Sequence, residues 1–110
     1  MNGKSSIQQL KSAHKIVKTF DYPKTKIEKG YSNQTLYINL TTNEIKIKPV
    51  TQQMKDIFIG GRGFGLKLLW DAVNENTKWN SPENEIIISP GPVAGITQYP
   101  GAGKSLVVSI

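Results

Sequence analysis

Apolar and polar residues alternate strictly in one stretch of this chain, and that pattern limits the folds it can adopt. The alternation runs between residues 36 and 47 and is interrupted by a polar turn at 41–44. A period of two is typical of half-buried β-strands. The pattern therefore predicts a β-hairpin over residues 34–49, which Pro49 closes.

The next part of the chain has the spacing of helices. Thr51 can cap a short helix that Gly60-Gly61 would end, because glycine adopts the left-handed conformation of a helix C-terminus at little cost. Three apolar residues then follow one another at spacings of three and four, which predicts a second helix over residues 66–73; they are Leu66, Leu69 and Val73.

Two further apolar runs, at residues 85–89 and 106–110, predict strands. The second run ends with the sequence. An unpaired apolar strand exposes backbone groups that pair readily with other strands, so we expect another segment or another chain to complete the sheet. The predicted fold class is α+β: a β-hairpin plus further strands forming part of an antiparallel or mixed sheet, with one or two short helices and an incomplete sheet edge at the C-terminus.

Charge divides the chain near residue 30. Residues 1–30 hold seven lysines against two acids, whereas residues 31–110 hold six lysines and one arginine against six acids. We interpret residues 1–29 as a basic leader, partly helical or disordered, and residues 30–110 as the folded domain. All basic residues of the leader are lysines, which favours a solvated or partner-docking arm over a nucleic-acid-binding one.

Composition excludes several classes of protein. A chain of 110 residues has room for one small domain. It contains 0 cysteines, which excludes a disulfide scaffold, a thiolate zinc site and an iron–sulfur cluster held by this chain alone. Its apolar runs are too short to cross a bilayer and it has no secretory signal, so we expect a cytoplasmic protein without a membrane segment.

Two glycine-rich motifs are candidate binding sites. Gly103-Lys104-Ser105 resembles the end of a P-loop, but Gln98 stands where the first glycine is needed, and a strand rather than a helix is predicted to follow. Nucleotide binding is therefore less favoured here than a glycine turn between strands. In the second motif, Gly61-Arg62-Gly63, the residues fit either a flexible corner between helices or a backbone that a large anion approaches, with Arg62 as countercharge.

The remaining polar and aromatic residues predict no chemistry. His14 lies on a weak helical stripe of the leader without a second ligand nearby, and the acidic residues are too scattered to indicate a catalytic pair. Trp70 and Trp79 are expected to pack on the core. The residues themselves predict no catalytic and no metal-binding group.

Five blocks, taken in order, resemble the N-terminal domain of the tungsten-dependent aldehyde ferredoxin oxidoreductases, and the resemblance covers residues 30–110. The blocks are residues 37–45, 59–65, 80–88, 91–95 and 103–108.

The resemblance implies a tungsten ion held by two pterins, an iron–sulfur cluster supplied by segments outside this chain, and oxidation of aldehydes to carboxylic acids with ferredoxin as electron acceptor. The family's cluster cysteines and catalytic residues lie beyond residue 110, so the chain is expected to be a cofactor platform that is not catalytic alone. Its expected partners are the remaining domains or a companion subunit, with homo-oligomerisation left open. Whether it is a fragment, a split subunit or a remnant without tungsten also stays open.

The resemblance also implies site residues. Lys104 aligns with a family arginine that sits between the two pterins, and its neighbours Gly103 and Ser105 complete the turn. A lysine offers a point charge where arginine offers a planar fork. The motif Gly61-Arg62-Gly63 is the second expected contact. A small interaction module without cofactor, binding a partner through its open sheet edge and lysine leader, is the alternative.

Overall fold

The computed structural model describes residues 3–98, 101 and 103–110. Their helices and strands confirm the predicted α+β class. In chain order they are α1 (Gly3–Ser12), β1 (Gln34–Asn39), β2 (Glu44–Pro49), α2 (Gln52–Phe58), α3 (Gly61–Ala72), β3 (Ile87–Pro90) and β4 (Ser105–Val108).

The chain divides into two compact units. One comprises the residues up to 24 together with 36–47, and the other comprises 25–35 together with 48–110. The second unit contains both glycine-rich motifs and helices α2 and α3.

In the first unit, helix α1 ends at Ser12. His14, which the sequence placed on a weak helical stripe, therefore lies outside the helix and is exposed. Ile7 and Leu10 are 55% and 68% exposed, and a short helix whose apolar side chains find no packing partner is marginal in water. Further along the leader, the Lys18 ammonium donates a hydrogen bond of 2.7 Å to the Asn43 carbonyl of the hairpin turn.

Strands β1 and β2 form the predicted hairpin and pair antiparallel. Its turn is held by the Asn39 side chain, whose Oδ1 accepts hydrogen bonds from the N–H groups of Thr41 (3.0 Å) and Thr42 (3.2 Å). Asn43 completes the turn at a φ of 57°, a conformation that asparagine tolerates better than most residues.

Helix α2 begins as predicted, since the Thr51 hydroxyl oxygen accepts a 3.2 Å hydrogen bond from the Met54 N–H. It ends at Phe58, and the residue that turns the chain is Ile59, at φ 66° and ψ −55°, rather than a glycine. The Gly60 N–H donates to the Phe58 carbonyl at 2.7 Å. This closes a γ-turn centred on Ile59, a type that is rare because it is strained.

Helix α3 begins at Gly61, five residues before the predicted start. Of the two interpretations of Gly61-Arg62-Gly63, the flexible corner between helices is therefore wrong, because these residues form the first turn of the helix. Glycine is a poor helix former, but tertiary packing overrides propensity. The packing here is the contact of Gly65 with β4, where a Cβ on Gly65 would lie 2.6 Å from the Val108 Cγ2.

Strands β3 and β4 pair antiparallel, with Ile87 opposite Val108 and Ile88 opposite Val107. They form a two-stranded sheet separate from the hairpin instead of joining it. Ile87 is buried on the inner side, whereas Ile88 and Val107 on the outer side are 67% and 65% exposed. The outer face is therefore apolar and uncovered.

The core of the second unit is small. Among the described residues, its buried apolar side chains are Phe64 and Leu69 of α3 and Ile87 of β3, each 9% exposed. None of the helices that the structure describes is both long and apolar enough to cross a bilayer.

The α3–β4 contact gives a stability prediction. Gly65→Ala should lower the free energy of unfolding by about 1–3 kcal/mol, because the added methyl overpacks the contact with Val108. Adding Val108→Ala should return part of that loss, since it removes the overlapping methyls. Urea unfolding of the single and double variants measures both effects.

Gly91→Ala is the matched control, since a Cβ there meets nothing within 4 Å. If Gly91→Ala costs as much as Gly65→Ala, or if Val108→Ala gives no relief, the close helix–strand contact does not exist in solution.

Candidate functional site

The N-terminal end of α3 lies beside the loop that follows β3 and beside the start of β4. A Cβ built on Gly61 would lie 3.4 Å from the Leu106 Cδ1 and 3.7 Å from the Gly91 nitrogen, and one on Gly60 would lie 2.8 Å from the Pro92 Cδ. Gly61 of the first glycine motif therefore contacts Leu106, the residue that directly follows the second motif, Gly103-Lys104-Ser105.

Gly61 and Gly63 are used in packing within the chain. Gly61 is buried, and a Cβ on Gly63 would come within 2.0 Å of the Phe58 carbonyl oxygen, a backbone atom that cannot easily move. The contact at Gly63 by itself requires glycine, and the φ of 50° at Gly61 favours glycine there. Binding of a cofactor by Gly61 or Gly63 therefore stays a prediction, and it is not needed to explain them.

The glycines with free space around them lie instead between β3 and β4. Within the part of the chain that the structure describes, a Cβ on Gly91, Gly95 or Gly103 would meet nothing within 4 Å. Lys104 and Ser105 are both exposed at the end of this segment. Ser105 is the first residue of β4, so that the helix required after a P-loop is not there.

Arg62 lies exposed in the first turn of α3, at the positive end of the helix dipole. That turn contains no acidic residue, and Gly60 supplies no side-chain cap. The first N–H groups of a helix have no partner within it, and here an arginine adds a full positive charge beside them. The local charge therefore favours an anion next to this end of α3.

The two tryptophans are not part of the core, so the expectation that they pack there is wrong. Trp70 and Trp79 are 80% and 77% exposed. Leu69 occupies the buried side of α3, and the next residue of an α-helix is rotated by about 100°, which carries Trp70 away from the β3–β4 sheet. Trp79 lies in the irregular segment that follows α3, where the Asn84 side chain donates to its carbonyl at 2.9 Å.

The sequence reasoning missed a cluster around Tyr31. The Tyr31 ring stacks on Phe64, with centroids 6.1 Å apart, and its hydroxyl donates to the Ile59 carbonyl. The Lys55 Nζ lies 5.1 Å from the centroid of the Tyr31 ring. Together these contacts hold residues 25–35 against helices α2 and α3. The sequence shows no periodicity from which the contacts could have been predicted.

Comparison with known proteins assigns the family. The sequence-family model of the aldehyde ferredoxin oxidoreductase N-terminal domain matches residues 35–110 of this chain. The chain belongs to the aldehyde ferredoxin oxidoreductase family, and residues 35–110 are a segment of the family's N-terminal domain. The resemblance predicted from residues 30–110 is confirmed.

Individual relatives agree with this assignment. The tungsten-containing aldehyde ferredoxin oxidoreductases of Thermococcus kodakarensis and Pyrococcus furiosus are 34% and 33% identical over 80 residues, which is 73% of this chain. The WOR-like subunit of the aliphatic sulfonate oxidoreductase of Pyrococcus furiosus is 32% identical over 81 residues, or 71% of the chain. The chain spans 13% of the length of each of these relatives. No solved structure matches it significantly.

The charge at the start of α3 gives a second prediction. Without a bound anion, Arg62→Gln should raise the free energy of unfolding by about 0.3–1 kcal/mol, because it removes a cation from the positive end of the helix dipole. Urea unfolding at low salt measures the gain, which should shrink at high salt as the charges are screened.

Lys67→Gln on the same helix is the control. The Lys67 Nζ lies 2.7 Å from the Asp71 Oδ1, so the change should cost a few tenths of a kcal/mol, roughly the contribution of an (i, i+4) ion pair. If Arg62→Gln also lowers the free energy of unfolding, the positive end of the helix dipole does not destabilise the Arg62 cation.

Proposed function

We propose that this chain is the N-terminal cofactor platform of a tungstopterin oxidoreductase that oxidises aldehydes to carboxylic acids with ferredoxin as electron acceptor. The observation that carries the proposal is the open glycine-rich segment between β3 and β4, which ends in the exposed Lys104. Family membership over residues 35–110, and relatives named as tungsten-containing oxidoreductases, support it.

The residues present fit a cofactor that brings its own metal ligands. The described residues contain no group of three or more His, Asp or Glu that could hold a metal ion, and the sequence has 0 cysteines. Contact with a pterin-bound tungsten would therefore be made through the organic part of the cofactor. That part is large, flat and anionic, which calls for bare backbone and a few fixed cations.

The roles of the chain's own residues follow from their positions. Lys104 would place an ammonium group beside the pterins, and Gly103 would let their rings approach the backbone closely. Ser105 would offer a hydroxyl to a polar edge or phosphate. Arg62, at the start of α3, would supply a second positive charge. When bound, the tungsten centre supplies the oxidation chemistry, while the chain positions it.

The rest of the enzyme would cover the surfaces that this chain leaves apolar. The outer face of β3–β4 and the exposed side of α3 carry large side chains in water, and apolar surface of this kind marks contact with other protein. The principal exposed residues are Leu66, Trp70, Ile86, Ile88 and Val107. Remaining domains or a companion subunit of a cytoplasmic enzyme would bring the iron–sulfur cluster.

Substrate choice would be decided outside this segment. Relatives named for aldehydes and for aliphatic sulfonates match nearly the same length of chain at 34% and 32% identity. A platform that supports a shared cofactor is expected to be common to enzymes with different substrates.

An interaction module without cofactor is the second candidate, and the two open sheets favour it, since a strand edge can pair with a partner. Metal analysis separates the two. The natural protein that carries this chain, purified from tungstate-fed anaerobic cells, should contain tungsten and pterin. If neither co-purifies, the module is correct.

Lys104→Ala should lower the tungsten and pterin content of the complete enzyme about tenfold, because a charge-assisted contact contributes about 1.5–3 kcal/mol. The fold should be intact, since Lys104 is exposed. Lys104→Arg should keep the content near that of the natural protein. Elemental analysis gives the result.

Lys78→Ala, an exposed lysine on the polar segment after α3, is the control and should leave the content unchanged. Undiminished tungsten in Lys104→Ala would remove Lys104 from the site.

A further inference from the structure

A second basic site lies within the unit formed by residues 25–35 and 48–110. It is a cavity of about 470 Å³ between the 26–31 segment and helix α2. That volume is in the range of small-molecule sites, about 300–1,000 Å³. The lining residues are Lys26, Ile27, Glu28, Lys29, Tyr31, Gln52 and Lys55. Most of them precede residue 35, so they lie outside the region that matches the family domain.

The backbone at one wall is fixed by a tight turn. Glu28 and Tyr31 exchange two backbone hydrogen bonds, of 3.0 and 2.9 Å. Lys29 and Gly30, between them, have φ angles of 52° and 84°, as a type I′ turn requires. A Cβ on Gly30 would lie 1.7 Å from the Pro92 carbonyl oxygen, so the turn is also pressed against the loop after β3.

The cation at the opposite wall is held in place. Lys55 donates a hydrogen bond from Nζ to the Asn33 Oδ1 and lies over the Tyr31 ring. Tyr31 is itself fixed by its hydroxyl bond to Ile59 and its stacking on Phe64. A lysine that is already ordered loses less side-chain entropy when it binds an anion.

Charge identifies the kind of ligand. The cavity is lined by three lysines against one acid, Glu28, and the Gln52 amide donates at 2.8 Å to Asp56. We propose that this cavity binds a diphosphate group, free or as part of a nucleoside diphosphate. A diphosphate carries a larger negative charge than a single phosphate, so three lysines around one cavity attract it more strongly.

This site is independent of the cofactor platform. None of its lining residues belongs to the glycine segment before β4 or to the first turn of α3. Loss of diphosphate binding should leave tungsten content unchanged, and Lys104→Ala should leave diphosphate binding unchanged. Failure of one proposal is therefore distinguishable from failure of the other.

Isothermal titration of the natural protein with pyrophosphate tests the site. Lys26→Gln should weaken binding about tenfold, the loss expected for one charge-assisted hydrogen bond, and Lys26→Gln/Lys55→Gln should weaken it further. Lys26 is exposed, so the single variant should fold even if loss of the ordered Lys55 disturbs α2. Lys78→Gln removes the same charge at a position outside the cavity, so its dissociation constant for pyrophosphate should stay within about twofold of that of the natural protein.

Two further ligands sharpen the outcome. ADP distinguishes the two sources, since tighter binding than that of pyrophosphate indicates a nucleoside-linked ligand and weaker binding indicates a free diphosphate. Orthophosphate should bind at least tenfold more weakly than pyrophosphate. The proposal is overturned if Lys26→Gln and Lys78→Gln weaken pyrophosphate equally, because attraction by the net charge of +6 would then explain binding. Equal affinity for orthophosphate, or no binding of either pyrophosphate or ADP, would overturn it too.

Discussion

The close approach of helix α3 to strand β4 at Gly65 is the contact on which the rest of the second unit depends. Only a residue without a Cβ lets the helix backbone come this near to the Val108 side chain. At that distance Phe64 and Leu69 share a small core with Ile87. The same placement brings the start of α3 beside the Gly91-Pro92 loop.

That contact separates the glycines of the chain into two groups with different uses. Gly63 and Gly65 lie in α3 where a Cβ would overlap other atoms of the chain, so their small size is required by folding, and Gly61 is buried with a φ of 50°. Among the described residues, no atom lies within 4 Å of a Cβ on Gly91, Gly95 or Gly103. A surface for a flat anionic ligand can be built only from the second group. The proposed cofactor contacts are therefore centred on Lys104. From the motif Gly61-Arg62-Gly63, only the exposed Arg62 at the start of α3 is proposed to contribute a contact.

Local patterns predicted the local structures, and long-range contacts explain the differences. The hairpin and the Thr51 cap depend on neighbouring residues, and both are as the sequence indicated. The start of α3 could not be predicted, because its glycines disfavour helix until β4 packs on them. The Tyr31–Lys55 cluster was missed because it joins residues 24 positions apart without a shared period. The exposure of Trp70 follows from the rotation of α3, which the leucine spacing alone did not define.

The most direct test of the platform is a structure of the complete enzyme isolated with its tungsten, with the metal located by its anomalous scattering. The account predicts that Gly103-Lys104-Ser105 lies against the pterins, with the Lys104 ammonium in contact with them and Gly61 still in contact with Leu106. A tungsten cofactor bound elsewhere, with Lys104 directed into solvent, would contradict it.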